Sequence, residues 1–415
     1  MRMRWLIGLL GTGLAAAFLS PIATPALAAT TLTVPGEFPT IQAALNAASP
    51  GDTVSVSPGT YSENINFNGQ DVTVASTGGA SQTTIAAPGG TAVTIGPAGS
   101  ITGFTISGGT ATFGAGMAVS GTGTIIANDI FQSNSEGSGG FGAAIGGNAA
   151  SPVIEQDLFT GNSCDDQFDS GVVAFVNDSS PTIENNVFHD NTCRAINLSL
   201  PQGPTPLVIN NTIVRNSTGI RIDGRVISTA EVVRNNIVTD NGTGLEVDFG
   251  NGPTWDHNLV FGNTQDFSGI ADQTGMNGNL SADPQFVDSS SDNFQLLPAS
   301  PAIGAGSAVD APAVDFNGNP RPQGAIDMGA FQSVSAAAQL ADLAQAVSGV
   351  GPGHSLARKV AQAQSALAAG NTAKACRKLS AFTREVQAQS GKSITPSITQ
   401  QLIADAQSIQ AALAC

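Results

Sequence analysis

Three carboxylates stand within five residues at Asp165, Asp166 and Asp169, in the segment SCDDQFDSG. Clustered carboxylate oxygens suit a hard cation such as Ca²⁺. A cation beside a guanidinium could neutralise the enolate formed when a proton is taken from beside a uronate carboxylate, and Arg215 and Arg221 are candidates for that guanidinium. These five residues are the ones from which a catalytic site would be assembled. The rest of residues 30–335 offers little: no Lys, one Tyr (Tyr61) and His only at 189 and 257. A second group is basic. Lys374, Arg377, Lys378 and Arg384, with Arg358 and Lys359 before them, suit an anionic polymer or simply a solvated helix face.

The elements that carry these residues follow from composition and pattern. The 415 residues are 41% hydrophobic, 5% aromatic and 11% charged, with 49 Gly. A soluble domain is usually about 25% charged. A disordered polyelectrolyte is excluded, because disorder by composition needs low hydrophobicity with high net charge. Helices with charged outer faces are disfavoured, and strands packed on strands are expected. Residues 30–335 hold 28 acids against six Arg, a net of −22, whereas residues 336–415 hold seven bases against three acids, a net of +4. A body charged to −22 repels nucleic acid.

Arg2 and Arg4 precede an apolar run, Trp5 to Leu19, and the small residues Ala26-Leu27-Ala28-Ala29 follow. Residues 1–29 therefore read as a secretory signal. The run is too short to span a bilayer, and nothing later reaches ~18 consecutive apolar residues. A secreted, extracellular or cell-surface monomer is expected, and four Cys fit an oxidising destination.

The middle of the chain repeats: NDIFQSN (128–134), QDLFTGN (156–162), NNVFHDN (185–191), NNTIVRN (210–216), NNIVTDN (235–241) and HNLVFGN (257–263). A period between about 20 and 30 residues, with strand-length apolar pieces separated by Asn, Gly and Asp, predicts stacked coils of a parallel β-helix. The columns agree. Eight residues before each final Asn stand Ile126, Ile154, Ile183, Val208, Val233 and Trp255; three before stand Phe131, Phe159, Phe188, Ile213, Val238 and Val260. The final Asn column should form a side-chain amide ladder. Cys164 and Cys193 each follow the rung Asn by two residues. Neighbouring coils lie ~4.8 Å apart, within disulfide range.

The stretch PTIQAALNAASPGDTVSVSPGTYSENI (39–65) resembles the start of secreted right-handed β-helix proteins of the pectate-lyase-like superfamily, in which a short helix (here Ile41 to Ala48) caps the first coil. FQLLPASPAIGAGSAVDAPAVDFNGNPRPQGAIDMGAF (294–331) resembles the closing segment called choice-of-anchor type Q. The resemblance implies a mainly β protein, a right-handed parallel β-helix over residues 30–335, of about 12 coils at ~25 residues each. It does not single out an activity, since the superfamily includes lyases, hydrolases, esterases, epimerases and proteins with no known reaction. Asp165-Asp166 is similar to the Asp-Asp element of polygalacturonase-like hydrolases. Their Asn-Thr-Asp, Gly-His-Gly and Arg-Ile-Lys segments are missing, and Arg221-Ile222-Asp223 lacks the Lys.

After Ser335 the pattern turns helical. Leu402, Ala406, Ile409 and Leu413 share one face, and Gly351-Pro352-Gly353, Gly370-Asn371 and Ser390-Gly391 punctuate about four helices. Residues 336–415 resemble the FIMAH domain, a helical module appended to exported bacterial proteins. Cys376 within one helix and Cys415 at the end of the last are placed for a second disulfide.

Four of the six body arginines share an offset with an acid on a neighbouring coil: Asp165 with Arg194, Arg221 with Glu246, Arg215 with Asp190 and Asp240, and Arg234 with Asp256. Such pairs read first as structural. The expectation for function is therefore recognition of extracellular or cell-surface polysaccharide without a complete catalytic constellation, calcium being the cofactor to test. A polysaccharide lyase or glycoside hydrolase, and a structural or adhesive surface stalk, are the alternatives.

Overall fold

Every coil of the repeat bends twice, and both bends are built alike. A residue with positive φ comes first, and the residue after it turns its side chain inward. At the first bend the positive-φ residues are Asn128, Gln156, Asn185, Asn210, Asn235 and His257, with φ from 51° to 60°. Asn tolerates this left-handed region better than other side chains, hence the recurring Asn-Asn doublets. In the computed structural model, the described residues are 28–165, 170–199, 206–224, 232–250, 252–322, 324–351, 353–413 and 415. The signal-peptide reading falls almost wholly on residues 1–27, outside the described residues.

Three strands per coil give the β-helix three faces. The first face contains Thr182–Glu184, Leu207–Ile209 and Val232–Arg234. The second, between the bends, contains Val187–His189, Thr212–Val214 and Ile237–Thr239. The third, after the second bend, contains Arg194–Ser199, Thr218–Gly224 and Thr243–Gly250. All stack in parallel and in the register of the sequence columns, as in Phe159↔Phe188 and Ile154↔Ile183. Phe131, Phe159 and Phe188 form a buried stack with centroids 5.1 and 4.4 Å apart. Burying each ring contributes about 1.5–3 kcal/mol.

The inward Asn ladder also holds. Nδ2 of Asn162 donates to Oδ1 of Asn191 at 3.0 Å, Asn191 to Asn216 at 2.8 Å and Asn216 to Asn241 at 3.1 Å. A second ladder lies at the first bend, where Asn186 donates to Asn211 at 3.1 Å and Asn211 to Asn236 at 3.0 Å. Each buried amide thus answers the one on the next coil, as burial of a polar group requires.

Among the described residues the coils number about nine, the size of the second-face sheet, and not about 12. The winding ends at Asn279 and Leu280, which stack on Asn258 and Leu259, and residues 281–335 do not continue it. They return along the outside, held by the positive-φ residues of the first bend: Gln156 donates to the Asp315 carbonyl at 3.0 Å, Asn185 to Val314 at 2.7 Å, Asn210 to Asp327 at 2.9 Å and Asn235 to Ser307 at 2.8 Å. This closing segment covers an outward apolar column of the second face, packing Phe294, Ala302, Met328 and Ala330 over Val187, Val214, Ile237 and Leu259.

Helix α1 (Ile41–Ala47) buries Ile41, Ala44 and Leu45 on the first coil, with Thr40 as its N-cap. The carboxylate of Glu63 accepts the N–H groups of Ile41 and Gln42, both at 2.9 Å. At the other end, α2 (Ala336–Ala346), α3 (Ser355–Ala368), α4 (Thr372–Gln389) and α5 (Pro396–Ala412) pack around Leu343, Val360, Leu379, Phe382 and Ile409. Both expected disulfides are present: Cys164–Cys193, with Cα atoms 5.5 Å apart on neighbouring coils, and Cys376–Cys415, at 5.7 Å. Among the described residues, no helix is long and apolar enough to cross a membrane.

Candidate functional site

The third face turns alternate side chains outward, because a strand has a period of two. Inward residues such as Ile196, Ile220 and Leu245 are buried in the core. The neighbours beside them, Asn197, Arg221 and Glu246, stand directly over one another on successive coils. The result is a polar strip running along the coil axis.

Arg221 is the centre of the strip and is fully buried. Its Nη1 donates to Asn197 Oδ1 at 2.7 Å, and its Nε donates to Asp248 Oδ2 at 2.7 Å, with Nη2 on the same oxygen. The register neighbour Glu246 instead faces Arg194, Nε to Oε2 3.8 Å. Burial, then the charge of Asp248, raises the Glu246 pKa above its ordinary value. A guanidinium held from two sides is rigid, so it fixes the positions of Asn197 and Asp248.

The strip continues toward the first disulfide. Asn197 Nδ2 donates to the Ser170 carbonyl at 2.9 Å, and Ser170 Oγ lies 2.6 Å from Glu136 Oε1 and 3.0 Å from Asp165 Oδ1. Asp165 Oδ2 accepts the Gly139 N–H at 2.8 Å. Burial pushes the Glu136 carboxyl up to about 7, against the lowering effect of the Ser170 bond. Phe249, next to Asp248, is 47% exposed.

Of the residues singled out from sequence, Asp165 and Arg221 join this one network. Asp166 and Asp169 lie outside the described residues. Arg215 is elsewhere. It sits at the second bend with φ 56° and binds Asp190 at 2.7 Å, the Ser289 carbonyl at 2.9 Å and Asp292, with its guanidinium 5.4 Å from the Phe294 ring. The bond from Arg215 holds Asp190 down at about 2. Arg215 is thus a clasp on the closing segment and is not placed with Asp165 and Arg221. His189, Asp190 and Asp292 bring potential ligand atoms within 4.8 Å of one another, but Arg215 already bridges the two carboxylates.

Sequence reading did not name Asn197, Glu136, Ser170, Asp248 or Phe249 for this site. The Arg221–Glu246 offset was visible, but the switch of Arg221 to Asp248 was not. On the helical module, Lys374, Arg377 and Arg384 are exposed on α4 and Lys378 is half-buried.

Residues 197–283 match the family model described as the right handed beta helix region, and residues 331–411 match that of the FIMAH domain. No curated protein matches the chain in sequence. Among solved structures, the chain is similar to a mannuronic acid specific polysaccharide family 6 lyase enzyme from human gut microbiota. The identity is 14%, the match covers 62% of this chain and 87% of that chain, and the TM-score is 0.25.

Proposed function

We propose that this right-handed β-helix with its FIMAH domain recognises extracellular or cell-surface polysaccharide along the third face, without turning it over. One observation carries the reading: Glu246, Asp248 and Phe249 stand partly or wholly exposed on one strand of the third face, with Asp248 held by the buried Arg221. An extended glycan needs fixed polar groups at coil spacing for its hydroxyls and an aromatic face for its ring. The partly exposed Glu246 and Asp248 with Phe249 supply both, and the buried Asn197 and Arg221 brace them from beneath. The two disulfides are compatible with an extracellular location.

A polysaccharide lyase or hydrolase is the second reading, favoured by the Glu136 carboxyl near 7, where a proton can be given or taken at neutral pH. A glycan panel separates the two, scored for retention and for unsaturated or reducing ends, with and without Ca²⁺. Glu246→Gln and Phe249→Ala, both partly exposed changes, should weaken retention at least tenfold with no product formed. Product that vanishes in Glu136→Gln would establish the enzyme. Neither binding nor product would leave a stalk.

A further inference from the structure

The helical module carries a polar surface of its own. Leu356, Val360 and Ala363 of α3 and Leu379, Phe382 and Val386 of α4 enter its core. Beside that seam the two helices leave a groove of about 380 Å³, lined by Ser355, Arg358, Lys359, Gln362, Lys378 and Ala381. Helical spacing explains the lining. Residues 355, 358, 359 and 362 form one stripe of α3, and residues 378 and 381 one stripe of α4.

Its charge is one-sided. Six cations lie on α3 and α4 against a single acid, Glu385. That acid is already engaged, accepting from Lys359 Nζ and from Ser355 Oγ at 3.1 Å, and the Lys359 bond holds its pKa below the ordinary value. Among the described residues, no carboxylate pairs with Arg358 or Lys378. Lys374 stands one turn before Lys378 on the same helix, so positive charge continues along the groove's α4 side. The other acids of residues 336–415 are Asp342 on α2 and Asp405 on α5.

We infer that this groove seats an acidic polysaccharide, with a carboxylate or sulfate held between Arg358 and Lys378 and sugar hydroxyls offered to Ser355 and Gln362. A polyanion meets complementary charge here and repulsion from the −22 body, so it would engage the module and leave the third-face strip clear. The inference goes beyond the third-face reading and does not depend on it.

The test uses the full chain on immobilised heparin (sulfate and carboxylate) and on polygalacturonate (carboxylate only), with polyglutamate as a peptide polyanion. Native protein should be retained at low salt and released as ionic strength rises through ~0.15 M, where the Debye length is about 8 Å. Arg358→Glu with Lys378→Glu should abolish retention while the helical circular dichroism stays unchanged. The milder Arg358→Ala with Lys378→Ala should lower the slope of log affinity against log salt by about one to two, since each lost contact removes roughly 0.7–0.9 on nucleic acids. Glu246→Gln and Phe249→Ala should leave heparin retention intact. Heparin alone retained assigns a sulfate, and both glycans retained a carboxylate. Retention unaffected by the reversals, lost in the third-face variants, or seen only on polyglutamate overturns the inference.

Discussion

The backbone N–H of Asp129 donates to Oδ1 of Asp157 on the next coil at 2.7 Å. Two aspartates are thereby stacked in the ladder position that Asn186, Asn211, Asn236 and Asn258 fill in the coils that follow. In those coils the Nδ2 corner donates, both to the next Oδ1 and to a main-chain carbonyl. At Asp129 and Asp157 the same corner is Oδ2, buried and without a partner. A proton there restores the missing donor. Burial accordingly pushes Asp129 up to about 8 and Asp157 well above its ordinary value, with the charge of Asp129 adding to the second.

That pair makes stability fall with rising pH. Both carboxyls are protonated in either state below about 4, the unfolded value, and the contribution is then whole. As pH rises above 4 the unfolded chain ionises first, the folded chain holds more protons, and the contribution is lost by the time pH passes the folded values. Asp129→Asn with Asp157→Asn should flatten this slope and stabilise the protein by about 1–3 kcal/mol at pH 8, with little change at pH 4. Urea unfolding at the two pH values reads it. Equal effects at both would show that the pair is not protonated.

Arg321 ties the closing segment down. It is 6% exposed and donates to Asn185 Oδ1 at 2.8 Å and to the carbonyls of Gly329 and Ala330 at 2.9 and 3.1 Å. Arg321→Ala should cost about 3–5 kcal/mol, because Asp315, Asp327 and Glu184 lose the cation buried among them. Limited proteolysis should then cut within residues 283–335 before the coils. Uniform cleavage across the chain would show that the segment is not released separately.

The Cys164–Cys193 bridge joins the residues next to Asp165 and Arg194. Cys164→Ser with Cys193→Ser should cost about 2–4 kcal/mol and weaken glycan retention, since the strip is anchored through both neighbours. Mass spectrometry of native protein should find all four thiols oxidised. Full retention after the bridge is lost would place the binding surface elsewhere.

Calcium tests the segment Asp165 to Asp169. If those carboxylates hold the ion, millimolar Ca²⁺ should raise Tm, as a ligand bound only by the folded state must. The rise should be absent in Asp166→Asn with Asp169→Asn. An unchanged Tm in the native chain removes the site.

Contacts between neighbouring coils recur at a nearly constant sequence offset, so periodicity writes them into the chain. That is why the Phe stack, the Asn191–Asn216 ladder, the Cys164–Cys193 bridge and the Arg234–Asp256 pair, 2.6 Å apart, could be read from columns alone. The second ladder carried the same signal in its Asn-Asn doublets, but Asp129 and Asp157 break the column's chemistry and hide it. Contacts with no period left no such trace. Arg321 meets Asn185 across 136 residues, and the return of the closing segment, which reduces the coils to about nine, is decided by an apolar column that only the assembled second face exposes. The site divides along the same line. Asp165 and Arg221 were visible as residue types, but whether they share a surface with Arg215 depends on which face each strand joins, and packing around the coil decides that.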